Sequence, residues 1–268
     1  MENKNTSLVK SLIKNKDLIL YLTKNDFKKK FAGSTLGVFW AFAQPMVTVL
    51  LYWFVFTHIR DGSNDAYPYI LFLLGGLVPW FYFSESIVSA TNCFMEYSYL
   101  VKKVVFDIEV LPVIKLLSGL ITHVFFMAIT LLLMLILGVM PTFNSIGFIY
   151  YTFCLFMFLF GLTYLTSSIN VFLPDLGQFI STILQALMWL TPILWNYETT
   201  FTTFSFRIIF KLNPLFYIVQ GYRAVLFEGQ NIFYNPKLMI YFWVFTIALL
   251  VVGNIVFKKL RPHFSDVL

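Results

Sequence analysis

"YILFLLGGLVPWFYFSESIVSATNC", residues 69–93, contains a single charged side chain, Glu85. An α-helix rises about 1.5 Å per residue, so about 20 apolar residues cross the roughly 30 Å hydrocarbon core of a bilayer. The stretch therefore reads as a transmembrane helix, and the rest of the chain repeats its character. Of 268 residues, 59% are hydrophobic and 12% are charged, and mean hydropathy is +0.78. Charged residues make up about 25% of an ordinary soluble domain. Half that supply cannot coat a water-exposed surface of this size, so the class is integral membrane protein.

Six apolar spans are expected: Leu36–His58 with a kink at Pro45, Tyr69–Cys93, Pro112–Val139, Ile146–Leu173, Phe179–Trp195 and Leu238–Phe257. No small-residue cleavage site follows the first, which reads as a retained span. No repeat and no low-complexity linker divides the chain. The expected fold is all-α, one domain: a cytoplasmic segment (1–35), a six-span bundle (36–257) and a cytoplasmic tail (258–268). Residues 1–35 hold eight lysines among recurring apolar positions, the pattern of an amphipathic helix on the membrane surface. A solvated basic tail is the other reading.

The net charge of +6 is clustered beside the spans, which points to bilayer orientation rather than to nucleic acid. With six crossings, fourteen Lys and Arg fall on the side of the termini and five on the other. The positive-inside rule then puts both ends in the cytoplasm. On the opposite side, "FRIIFKLNPLFYIVQGYRAVLF" (206–227) has two short apolar pieces split by Asn213-Pro214 and interrupted by Lys211 and Arg223. Pieces this short are more often interfacial or re-entrant than spanning. A hairpin dipping into the outer leaflet is expected there, with a flat external cap as the alternative.

A charged island, "VKKVVFDIEVLP" (101–112), lies between the second and third spans. On a helical wheel Val101, Val104, Val105, Ile108 and Leu111 share one face, while Lys103, Phe106, Asp107 and Val110 share the other. A short helix would press its valine face on the bundle and show Phe106 among charges to a protein partner. An ordinary topogenic loop is the plainer alternative.

Aromatic residues form 20% of the chain, more than interfacial belts require. Trp40, Phe42, Trp80, Phe81, Tyr82 and Trp189 are candidates to line a path, because rings stack tolerantly on successive units of a sliding polymer; lipid contact and helix packing are the alternatives. Glu85 must face protein or water or be protonated, since an ionised acid at mid-bilayer costs about 2.5–3.5 kcal/mol; it is a further candidate for the path, with a structural hydrogen bond as the alternative. His123 reads as a packed, hydrogen-bonded residue. Gly33 and Gly37 have the G-x-x-x-G spacing of close helix packing. Arg223 either meets an acidic substrate or lipid group, or bridges to Glu198 or Glu228. Cys93 and Cys154 read as small buried hydrophobes, and no metal site is expected.

Four stretches together resemble the ABC-2 type permeases that export O-antigen, teichoic acid and capsule. They are "KKVVFDIEVLP" (102–112), "FAGSTLGVFWAFAQPMV" (31–47), "NVFLPDLGQFISTILQALMWLTPILW" (170–195) and "NPLFYIVQGYRAVLF" (213–227). The first departs from the family's usual Pro-Arg at Asp107-Ile108, and Pro174 replaces a common Arg. The resemblance implies a homodimer of six-span subunits in the bacterial cytoplasmic membrane, moving a lipid-linked polysaccharide. It implies two copies of a separate ATPase subunit that bind the ATP and Mg, with no cofactor in this chain. It also implies that Lys102, Lys103, Phe106, Asp107 and Glu109 form the segment coupled to that ATPase, and that Asn213, Pro214, Tyr222 and Arg223 belong to an external hairpin. The chain has no G-x-x-x-x-G-K-[ST] phosphate loop of its own.

Other classes fit less well. A membrane glycosyl- or acyltransferase needs converging acid–base or metal-binding groups, whereas His58, His123 and His263 are scattered. An ion-coupled carrier needs ionisable groups at the midplane, usually in repeats. An ABC-2 permease for drugs or other lipids differs from the leading reading only in cargo.

Overall fold

The computed structural model describes residues 8–59, 67–102, 107–197 and 204–268, and its regular elements are all helical. Helices α1 (Leu8–Lys14) and α2 (Lys16–Lys29) precede α3 (Trp40–Ile59), α4 (Tyr69–Thr91) and the single turns α5 (Cys93–Glu96) and α6 (Ser98–Val101). Then come α7 (Val110–Ile136), α8 (Gly147–Asn170), α9 (Leu176–Leu190), α10 (Phe204–Lys211), α11 (Pro214–Leu226), α12 (Pro236–Leu260) and α13 (Phe264–Val267). Among the described residues, five helices (α3, α4, α7, α8 and α12) are long and apolar enough to cross a membrane. The chain is thus a multi-pass membrane protein. The fifth apolar run, expected over Phe179–Trp195, is helical only to Leu190; its 15 residues span about 22 Å.

Pro192 explains the stop. A proline disfavours the α conformation of the residue before it, and Thr191 takes φ −92° and ψ 127°. The carbonyls that follow leave the helical ladder. Irregular backbone at membrane depth is tolerable only where protein or water satisfies it, and here Arg223 does so. Its Nη1 donates to the Pro192 carbonyl at 2.8 Å, its Nη2 to the Ile193 carbonyl at 2.6 Å and its Nε to the Phe72 carbonyl at 3.2 Å. The guanidinium lies 3.5 Å over the Phe72 ring, and the residue is 1% exposed.

The "GG" of α4 makes this possible. A Cβ on Gly75 would sit 2.9 Å from Arg223 Cγ, and one on Gly76 would sit 3.0 Å from Arg223 Nη2 and 3.2 Å from Ile193 Cα. Helix α11, which carries Arg223, starts with Pro214 in its first turn and Asn213 as N-cap, accepting from Leu215 N at 3.0 Å. Asn213 Nδ2 also donates to Thr191 Oγ1 at 2.8 Å. From Leu215 to Leu226 α11 is buried almost throughout, packed on α4, α8 and α12. The helix is inserted into the bundle rather than laid flat over it.

Elsewhere α4 is central and α3 peripheral: α3 exposes Met46, Val47, Leu50, Leu51 and Phe54 and runs helically through Pro45. The expected G-x-x-x-G packing is not where the spacing put it. Gly33 and Gly37 have φ of +92° and +52°, with nothing within 4 Å of a built Cβ. They turn the chain into α3, a left-handed conformation that glycine adopts without steric cost. Backbones instead meet at α8 and α12, where a Cβ on Gly253 would approach the Gly161 carbonyl to 2.5 Å. Cys93 and Cys154 are buried free thiols.

At the end of the bundle opposite α11, α2 packs on α7. Lys115 Nζ reaches Asp26 Oδ1 at 2.6 Å and Glu96 Oε2 at 2.7 Å, and the Tyr97 hydroxyl donates to Asp26 Oδ1 at 2.8 Å. Burial alone would raise the Asp26 pKa. The Lys115 charge and the hydrogen bonds outweigh it and hold the carboxyl below the ordinary aspartate value.

Two stability predictions follow from these ties. Arg223→Met strands the Pro192 and Ile193 carbonyls, each worth about 1–3 kcal/mol when left unpaired, and should lower the unfolding midpoint in detergent well below that of Arg223→Lys; equal midpoints would remove the pinning role. Lys115→Met leaves Asp26 buried without its cation, a loss of about 3–5 kcal/mol for a broken buried pair. A protease site placed in α2 should then be cut faster, and Asp26→Asn should restore part of the protection. Because the Asp26 pKa is depressed in the fold, its contribution is complete above about pH 3.9, the unfolded value, and is lost as pH falls through the lower folded value.

Candidate functional site

The charged island sits at the same end as α1 and the turns that follow α12. Lys102 closes α6 and is exposed. Lys103 and Phe106, with the two valines between them, lie outside the described residues. Asp107, Ile108 and Glu109 form a turn that opens α7, with Val110 N bonded to the Asp107 carbonyl at 3.2 Å and Leu111 N to the Ile108 carbonyl at 3.1 Å. Val101, Ile108 and Leu111 are buried, as the wheel predicts. Val110 is buried as well, contrary to the wheel, because α7 has already begun and turns that side into the bundle.

Glu109 also departs from the expected docking face. It is 5% exposed, its Oε2 accepts from Ser11 Oγ at 2.9 Å, and its Oε1 is paired with the Arg261 guanidinium. Its backbone carbonyl accepts from the Tyr164 hydroxyl. A carboxylate enclosed in this way presents nothing to an external partner. Asp107 is half-buried and accepts from Asn15 Nδ2 at 2.7 Å. Burial, then the Asp26 carboxylate, pushes the Tyr97 hydroxyl well above the ordinary tyrosine range, so it remains a donor.

A second apolar core holds this end together. Ile19 of α2, Phe94, Val101, Ile108, Leu111, Tyr164, Phe257 and Phe264 contribute to it. Residues 258–268, expected as a plain tail, continue as helical turns, and the fully buried Phe264 ring lies 5.0 Å from Phe94. The partners Ser11, Asn15, Tyr164 and Arg261 carry no sequence signal, being 55 to 152 residues from the acids along the chain.

Of the aromatic path candidates, Trp80 and Tyr82 are buried within the subunit, and the Tyr82 hydroxyl donates to the Leu116 carbonyl at 3.3 Å. Rings covered by their own helices cannot touch a passing polymer, so these two pack the core instead. Phe42 is half-buried against Phe125 at 4.0 Å between ring centres, and Phe81 faces Phe126 at 6.2 Å. Trp40 is 47% exposed on α3 and Trp189 is 58% exposed on α9. Glu85 is paired with Lys30 at 2.7 Å, so the acid in the apolar run has a protein partner.

The outward faces of α3 and α9 carry polar side chains at helical spacing. Gln178, Thr182 and Gln185 on α9 are exposed and recur at helical spacing, leading to Trp189; on α3, exposed Gln44 lies one turn from Trp40. An amide facing hydrocarbon has no hydrogen-bond partner, so these stripes call for a polar neighbour outside the subunit. In the segment expected as an external hairpin, Asn213 and Pro214 start α11, and Arg223 points into the bundle. The Tyr222 hydroxyl lies 2.6 Å from Thr152 Oγ1 and 3.0 Å from His123 Nε2, placing His123 in a packed hydrogen-bond network. No three His, Cys, Asp or Glu residues among those described are grouped to hold a metal ion.

Comparison with known proteins agrees with this architecture. Residues 17–227 match the family described as ABC-2 type transporter. The chain is 26% identical over 259 residues to a protein of Myxococcus xanthus named O-antigen export system permease protein RfbA, covering 97% of this chain and 98% of that protein. A Klebsiella pneumoniae protein of the same name is 27% identical over 253 residues, covering 94% of this chain and 95% of its own length. With residues 17–227 of its 268 matched to the family, this chain belongs to the ABC-2 type transporters.

Proposed function

We propose that this chain is the membrane permease subunit of an ATP-driven exporter that carries a lipid-linked polysaccharide, such as O-antigen or teichoic acid, out across the bacterial cytoplasmic membrane. The observation that carries the reading is the near full-length match to permeases named for O-antigen export. Membership of a transporter family makes the chain a transport subunit rather than an enzyme. A homodimer works with two copies of an ABC ATPase, which bind the ATP and Mg.

In this reading α9, with the pinned turn after it, completes a sixth crossing, and α10 and α11 form a re-entrant hairpin on the outer side. Both termini and the island face the cytoplasm, as the bias of fourteen to five in basic residues supports. Helices α1 and α2 lie at the membrane interface; exposed Ile13, Leu20 and Tyr21 beside lysines suit that position. Lys102, Lys103, Phe106 and Asp107 dock on the ATPase. The path lies between α3 and α9 of the two copies, where exposed Trp40 and Trp189 offer faces to sugar C–H groups and Gln44, Gln178, Thr182 and Gln185 offer amides and a hydroxyl to sugar hydroxyls.

The docking claim is tested with Lys103→Glu, Asp107→Lys and Phe106→Ala combined. The triple variant should lose co-purification with the ATPase and should lose periodate-stained surface carbohydrate in cells lacking their own copy. Normal binding and export by that variant would discard the docking role. The path claim is tested with photocrosslinkers attached to cysteines at Gln178 and Gln185 in a chain lacking Cys93 and Cys154. The expected adducts stain for carbohydrate; adducts containing only phospholipid would place α9 against the bilayer instead.

A further inference from the structure

Glu109 belongs to the island by sequence and to the chain's interior by structure. Three elements remote from one another converge on it. Ser11 of α1 donates to its carboxylate at 2.9 Å. Arg261, which follows α12, pairs with the other carboxylate oxygen. Tyr164 of α8 donates to its backbone carbonyl. Two residues earlier, Asp107 takes a further hydrogen bond from Asn15 between α1 and α2. Beside these bonds, Ile108, Val110 and Leu111 join the apolar core that contains Phe257 and Phe264.

We infer that Glu109 is a positioning residue that couples the island to the rest of the subunit, tying it at one point to the N-terminal helices, to α8 and to the end of α12. The inference rests on the proposed function, in which the island receives the motor's stroke. A displaced island must move Glu109, since Glu109 opens α7. Its carboxylate bonds are charge-assisted, the stronger class of hydrogen bond, so the displacement reaches α1 and α12 directly rather than only through α7. This separates two roles within one segment. Exposed Lys102 and the residues after it meet the partner, while enclosed Glu109 passes the movement inward. The geometry also gives the C-terminal turn a purpose: Phe264 anchors it against Phe94 and Phe257 and holds Arg261 beside the acid.

The test uses the intact complex of this chain with its ATPase. Glu109→Gln, Glu109→Arg, Arg261→Ala, Arg261→Lys and the exchange Glu109→Arg with Arg261→Glu are each compared with the unaltered complex. Three quantities are read: ATPase co-purified per permease, ATP hydrolysed, and periodate-stained carbohydrate reaching the cell surface. Glu109→Gln and Arg261→Ala should bind the ATPase to the same extent. They should hydrolyse ATP at no less than half the unaltered rate and deliver about tenfold less carbohydrate. Arg261→Lys should recover most delivery. The exchanged pair should deliver more than Glu109→Arg alone. Loss of ATPase binding by Glu109→Gln would make Glu109 a direct docking residue, and undiminished delivery would leave it without a coupling role; either result overturns the inference. Failure of the unaltered complex to deliver carbohydrate would instead refute the proposed function.

Discussion

A membrane helix that ends short of the bilayer surface must have its loose carbonyls satisfied from somewhere. In this chain Arg223 satisfies them. Its guanidinium has fixed planar geometry and five donors, and three of its nitrogens reach three backbone carbonyls on α4 and on the turn after α9. Much of the α11 end of the bundle follows from that arrangement. Helix α9 can stop at Thr191, α11 can sit buried among α4, α8 and α12, and α4 must carry glycine at 75 and 76. A lysine could not serve in the same way, because an ammonium lacks the planar fork that reaches several acceptors at once.

The two ends of the bundle use polar groups differently. At the α11 end they seal the interior: Arg223 on carbonyls, Tyr222 with His123 and Thr152, Asn213 with Thr191. At the end that holds the termini they join separate elements: Asp26 with Lys115, Lys30 with Glu85, Glu109 with Ser11 and Arg261. A buried ion pair adds little net stability over a well-packed apolar substitute, but it costs a great deal to separate. Such pairs suit elements that must stay in register while they move. Under the proposed function this is the end at which the ATPase acts, where an exporter needs that property.

Between those ends the outward faces of α3 and α9 mix tryptophan with amides. Lipid tails offer no partner to an amide, whereas a hydroxyl-rich polymer offers many. Under the proposed function such a surface satisfies its polar groups with successive sugars and commits strongly to none. That combination is what processive passage of a repeating glycan requires.

Much of this protein was legible in its sequence. Membrane class, the positions of the long helices, the oddity of residues 196–227 and the clustering of charge at one end all come from local composition and length. These are properties that neighbouring residues possess before any fold exists. Burial and pairing were not legible, because they depend on which helices become neighbours. The wheel placed Val110 on the polar face and the resemblance put Glu109 in the docking segment, yet Val110 is buried in the second core and Glu109 is enclosed by α1, α8 and the last turn. Gly33 and Gly37 had the right spacing for helix contact and turned out to shape a loop, while Gly161 and Gly253, 92 positions apart, make the close approach. Arg223 had several possible partners on paper. Only tertiary structure placed the freed carbonyls of Pro192 and Ile193 within its reach, since a cation in an apolar interior takes the acceptors that the fold brings to it.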